Sequence, residues 1–180
     1  MVAVTVVTCV MGAGQAPTTT AGQKVVSSDF EKRAKKYVDL REKIRSRLPQ
    51  LPEDATPERI TSHKLSFQKA VQAARNTAKP GDLFTLPAAA LIRSLIKAEF
   101  KGWERNELRK TVLEADTKGV PLKINLPYPE TKELVEMPPA LLLALPQLPK
   151  QLRYRFIGRS LGILDSDNAL IIDYMKRALP

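Results

Sequence analysis

The sequence predicts an α+β chain: about four helices in an N-terminal hairpin or small bundle, then a small antiparallel β-meander with one short helix. Three observations carry this. Apolar residues recur at three- and four-residue spacing up to Gly119, the period of a helix with one buried face. From Val120 onward the spacing switches to two, the period of a strand. Gly158-Arg159 and Asp165-Ser166-Asp167-Asn168 then supply the tight turns that a meander needs.

The elements follow in order. Ser28 with Asp29 and Glu31 reads as a helix cap with acids in the first turn. Phe30, Ala34, Tyr37, Ile44 and Leu48 share one stripe, interrupted by Arg41, which predicts a helix over 29–47 stopped by Pro49 and Pro52. Thr56-Pro57-Glu58 starts a second helix, with Ile60, His63, Phe67, Val71 and Ala74 on one face and an end near Ala78. Pro80-Gly81 turns the chain. A third helix begins at Thr85 or Leu86 and presents Leu91, Ile92, Leu95, Ile96 and Phe100; Gly102 separates it from a fourth, Trp103 to Lys118. Val120, Leu122, Ile124 and Leu126 alternate with Pro121, Lys123 and Asn125 as a strand that joins the meander. Met137–Leu145 is a short apolar helix between prolines. Leu152, Tyr154 and Phe156 alternate with Arg153 and Arg155, placing the aromatics in the core and the arginines on the other side. Ser160–Leu164 returns, and Ala169–Met175 is the third strand, with Leu170, Ile172 and Tyr174 on one face.

Composition narrows the chemistry. Of 180 residues, 43% are apolar and 27% charged, a globular balance that excludes a disordered or collagen-like chain. One Cys and one His exclude zinc ribbons, iron–sulfur ligation and intrachain disulfides. No charged side chain precedes Lys24, and Val2–Met11 is apolar enough for the core of a secretory signal but too short to span a bilayer. Residues 1–21 therefore read as a signal peptide, with cleavage between Ala16 and Gly22, 22–27 as a flexible tether, and 28–180 as a single domain, helical over 28–119 and β-rich over 120–180. The missing basic start implies an in-frame start upstream of Met1; a disordered or β-like N-terminus and a lipoprotein reading of Cys9 are the alternatives. The mature chain contains no membrane span.

No nucleophile elbow, P-loop, dinucleotide fingerprint or zinc-protease motif is present. Asp165, Asp167 and Asn168 do not follow a calcium-loop spacing and are read as turn residues. His63, on an apolar face, is read as a boundary histidine. No metal or cofactor is expected. Asp173 is expected to pair with Arg153 or Arg155 across the sheet. The net charge of +10 is the strongest functional signal. Residues 29–79 hold 13 basic and 7 acidic side chains, among them Lys32, Arg33, Lys35, Lys36, Lys43, Arg45 and Arg47. Such a face attracts phosphates or an anionic membrane. Arg153, Arg155 and the hairpin residue Arg159 are further basic candidates, and Asp165 and Asp173 acidic ones.

Leu152-Arg153-Tyr154-Arg155-Phe156-Ile157-Gly158-Arg159-Ser160-Leu161, Leu164-Asp165 and Asn168–Asp173 resemble a family of exported bacterial proteins. Gly81–Thr85, Asn125–Pro129 and Met137–Leu142 extend the resemblance over roughly 28–180. It implies a short exported protein with a signal peptide and one α+β domain, and it carries no catalytic residues. The chain departs from the pattern after Asp173, where Lys176 and Arg177 make the ending more basic. The expectation is a non-enzymatic exported binding or structural domain whose partner is an envelope protein or an anionic surface. The alternatives are a hydrolase using carboxylates around Asp165 and Asp173, or a nucleic-acid binder should residues 1–21 stay attached. Nucleic acid ranks lower, because alternation separates the aromatics from the arginines of the first strand.

Overall fold

The first helix starts where a capping box forms. In the computed structural model, which describes residues 20–100, 104–134 and 136–179, α1 runs Ala21–Arg45. The Thr20 hydroxyl accepts from Gln23 N, and the Gln23 side chain accepts from Thr20 N at 2.9 Å. Two otherwise orphaned N–H groups are thereby satisfied. This corrects the expected start at Asp29: residues 22–27 are helix rather than tether, and Val26 packs against the core one turn ahead of Phe30. The segment read as a signal peptide, as far as Thr19 and Cys9 included, and the junction at Gly102 and Trp103 lie outside the described residues.

α1 buries Phe30, Ala34, Tyr37, Val38, Arg41 and Ile44 on one side. α2, Pro57–Ala74, is capped by Thr56 and buries Phe67, Gln68 and Val71. The face predicted for it is only half right. Ile60 is 50% exposed and Ala74 is exposed, because only the C-terminal half of α2 reaches the core; His63 is half-buried, as expected of a boundary position. α3, Leu86–Glu99, starts at Thr85 and buries Ala88, Ala89, Ile92 and Ile96, and α4 covers Glu104–Glu114. α5 is the short helix Pro139–Ala144. No helix among the described residues is long and apolar enough to cross a membrane.

The strands β1 (Leu152–Ile157), β2 (Ser160–Asp165) and β3 (Ile171–Met175) form an antiparallel sheet in the order β1-β2-β3. Gly158 turns the first hairpin at φ +54°, a conformation that disfavours a side chain. One face of the sheet carries Tyr154, Phe156, Leu161, Ile163, Ile172 and Met175 into the main core with the helices. Each such fully buried side chain contributes about 1.5–3 kcal/mol relative to exposure. The other face carries Ile157, Leu164 and Ile171 into a second, smaller core.

Two departures from simple alternation shape this outer face. The β2–β3 register passes from Ile163↔Asp173 to Leu164↔Ile171, so Ile172 is an extra residue. This bulge lets Ile172 and Asp173 both face the helices and moves Tyr174 to the outer cluster, away from the face shared with Leu170 and Ile172 that alternation predicts. The segment 120–126 is not a regular strand. Pro121 and Pro127 lack N–H donors and Asn125 sits at φ +62°. It meets β3 through one bridge, Pro127↔Leu170, with Asn125 N donating to Ile171 O and Ile171 N donating to Leu126 O. In crossing there it lays Val120, Leu122 and Tyr128 over the outer face.

The recovered helical turns give a direct check. A chain starting at Ser28 loses the Thr20 cap and the Val26 contact that a chain starting at Thr20 keeps. The expected loss is about 1–2 kcal/mol, read as a Tm lower by roughly 2–8 °C for a domain of this size. Equal melting temperatures would mean that the first turns contribute nothing.

Candidate functional site

The acidic candidates face inward. Asp165 ends β2 and has a fully buried side chain. Its Oδ2 accepts from Arg41 Nε at 2.8 Å and from the Tyr37 hydroxyl at 2.5 Å, and its Oδ1 accepts from Asp167 N at 3.0 Å. Arg41, which breaks the apolar stripe of α1, is fully buried. It also donates to Asp167 and Glu42, and lies 5.2 Å over the Phe67 ring. Burial alone would lower its pKa, but Asp165, Asp167 and Glu42 hold it above the ordinary arginine value. Asp165 is therefore more than a turn residue, and its carboxylate is not presented to a substrate.

Asp173 does not pair with Arg153 or Arg155, because the bulge turns it to the opposite face of the sheet. Its Oδ1 accepts from Gly81 N at 3.0 Å and Tyr174 N at 2.8 Å. Its Oδ2 accepts from Leu83 N and Phe84 N, both at 2.8 Å. All four lone-pair directions of the carboxylate are occupied. Burial pushes its pKa up, against the pull of those four donors. The two carboxylates thus hold separate pieces of backbone and helix, and they do not meet over a cleft as the hydrolase reading requires.

Between them lies a polar seam that periodicity does not reveal. Arg75, just past α2, stands 5.0 Å over the Tyr37 ring. It donates to Asn125 Oδ1 at 2.7 Å and to Ile172 O at 3.0 Å, while Asn125 Nδ2 donates back to Arg75 O. Gln72 Nε2 donates to Asn125 O, and Gln68 Nε2 to Asn168 O at 2.6 Å. These side chains fix the crossing segment and the β2–β3 turn onto α2. The readable trace is that Gln68 and Arg75 stand where α2 should be apolar.

The basic candidates divide sharply. On α1, Arg33 pairs with Asp29, Lys35 with Asp39 and Arg45 with Asp167. Lys32, Lys36, Lys43 and Arg47 are exposed and have no carboxylate partner among the described residues. At 3.6 residues per turn, Lys32, Lys36 and Lys43 fall within an arc of about 40° and span about 16 Å, opposite the buried stripe. Arg47 follows just beyond the helix end.

On the sheet, Arg153 is exposed and Arg155 half-buried, both on the outer face beside a cleft of about 320 Å³. Tyr128, Leu134 and Leu164 line its apolar part, with Lys64 and Lys132 at its rim. Lys64 is held by Glu130 at 2.6 Å and Lys132 by Asp116 at 2.8 Å. Arg155 Nη1 donates to Tyr154 O at 2.9 Å. Burial pushes the Arg155 pKa down and neighbouring Arg153 adds to this, with Glu136 opposing. Arg159 is exposed at the hairpin, where its carbonyl accepts from Ala178 N and Leu179 N, fastening the chain end. His63 lines a separate cleft with Glu42, Arg45 and Leu51. No group of three or more His, Cys, Asp or Glu among the described residues is placed to hold a metal ion.

No protein-family model, curated protein or solved structure matches this chain.

The Asp173 socket carries its own prediction. Asp173→Asn sets amide donors against backbone donors and is expected to cost about 2–4 kcal/mol. Because the folded carboxyl lies above its unfolded value, the fold binds this proton more tightly. That contribution favours folding increasingly as pH falls through the raised pKa, and the amide lacks it. Urea denaturation at neutral pH and again in the acidic range should show the gap between wild type and variant widening in acid. A variant as stable as wild type at both would remove the socket from the account.

Proposed function

We propose that this chain is an exported, non-enzymatic binding domain that lies against an anionic surface of the cell envelope through the exposed face of α1. The observation that carries the reading is the alignment of Lys32, Lys36 and Lys43, unpaired, on one side of a helix whose other side is core. The net charge of +10 adds long-range attraction. Each basic residue near an anionic bilayer contributes about 1 kcal/mol, so these three lysines with Arg47 give on the order of 4 kcal/mol, a salt-sensitive association in the millimolar range before the remaining charge is counted. Export is supported by the uncharged apolar run before Lys24. A cut after Ala16 leaves the Thr20 cap, and with it α1, intact. The carboxylates that a hydrolase would use are occupied by Arg41, Tyr37 and backbone N–H groups.

Co-sedimentation with vesicles tests this. The chain from Thr20 onward should bind vesicles rich in phosphatidylglycerol, release in 0.5 M salt (where the Debye length is about 4 Å), and ignore pure phosphatidylcholine. Lys32→Glu with Lys36→Glu and Lys43→Glu should lower vesicle binding at least tenfold while leaving Tm unchanged. Undiminished binding by the triple variant, or equal binding to neutral vesicles, would overturn the proposal.

A further inference from the structure

We propose that the cleft on the outer face of the sheet is a binding site for a small organic anion, with Arg153 and Arg155 gripping an oxyanion head and Tyr128, Leu134 and Leu164 receiving an apolar body. The site stands on a different face from the α1 ridge and does not depend on it.

The arginines are two positions apart on β1, so they leave the same face about 7 Å apart along the strand. Neither has a carboxylate partner among the described residues. The lysines and two of the carboxylates around the cleft are matched to one another, and Glu136 attracts Arg155 electrostatically without forming an ion pair. Lys64 is held by Glu130, Lys132 by Asp116, and the Asp165 carboxylate is turned inward to Arg41. Two adjacent like charges, one of them half-buried, are a standing electrostatic cost that a bound anion relieves.

Arg155 has one arm fixed. Its Nη1 donates to Tyr154 O, which leaves the Nε–Nη2 edge, the edge that meets a carboxylate or phosphate with two parallel hydrogen bonds. The Tyr128 hydroxyl donates to Glu133 O at 2.6 Å, so the residue offers the cleft its ring rather than a donor. Leu164 is 5% exposed and supplies apolar floor from β2. A volume of about 320 Å³ equals roughly ten water volumes, at the lower end for small-molecule sites. A head alone would leave the floor uncovered, and an apolar molecule alone would leave the guanidinium groups unpaired. The fitting ligand carries both.

Isothermal titration with octanoate, phenyl phosphate, inorganic phosphate and octanol separates these possibilities. Octanoate or phenyl phosphate should bind well above inorganic phosphate and octanol. Preference between the first two tells a carboxylate source from a phosphate source. Arg153→Gln, at an exposed position, should weaken binding at least tenfold with Tm unchanged, and Arg155→Gln should do the same. The Lys32, Lys36 and Lys43 charge-reversal variant should bind like wild type. Inorganic phosphate binding as well as the organic anions, octanol binding as well as octanoate, no binding by any probe, or full affinity in Arg153→Gln would each overturn the proposal.

Discussion

The pairing of Arg41 with Asp165 holds the two halves of this protein to each other. Arg41 belongs to the first helix and Asp165 to the end of the second strand, 124 residues later, and both side chains are fully buried. Two charges out of water are stable together only when geometry and additional hydrogen bonds compensate the lost hydration. Here Tyr37, Asp167 and Glu42 supply those bonds, and the Phe67 ring covers the guanidinium. The pair fixes where the β2–β3 turn lies against α1. Leu164 precedes that turn, and Ser166 and Ala169 lie within it, so the wall of the outer cleft is set by a contact on the inner side of the sheet.

The rest of the polar interior repeats this logic with different chemistry. Asp173 makes no ion pair among the described residues, though its charge acts on Arg75; it gathers four backbone N–H groups, three of them from the loop that leads into α3. Arg75 has no ion-pair partner among the described residues and relies on a carbonyl, an amide and an aromatic face. Buried groups with every bond made are poor candidates for chemistry, because a substrate would have to displace a structural contact. Exposed charge without an ion-pair partner among the described residues stands instead on α1 and at β1.

Local features were legible in the sequence, and distant ones were not. The hairpin at Gly158-Arg159 and the split between Tyr154 and Phe156 on one side and Arg153 and Arg155 on the other follow from strand geometry. The start of α1 was missed because Thr20 and Gln23 form their box before any apolar periodicity begins, with Val26 its first core residue. Val120–Leu126 alternates as a strand should, but Pro121 and Pro127 deny it a ladder, and Asn125 bends it to meet Arg75. Arg41 was visible only as an interruption in a stripe. A single charged residue at a core position signals a buried partner, yet its spacing says nothing of where in the chain that partner lies. For the basic residues of α1, the sequence showed the surplus, while pairing to Asp29, Asp39 and Asp167 decided which cations remain free.

The most direct test of the Arg41–Asp165 linkage is a double-mutant cycle by urea denaturation with Arg41→Met, Asp165→Asn and the double variant. Each single variant leaves a buried partner uncompensated and should cost about 3–5 kcal/mol. The double variant should cost less than the sum of the two, by a coupling energy of about 2–3 kcal/mol. Single losses below about 1 kcal/mol that simply add would contradict the claim that this pair holds the helical and sheet halves together.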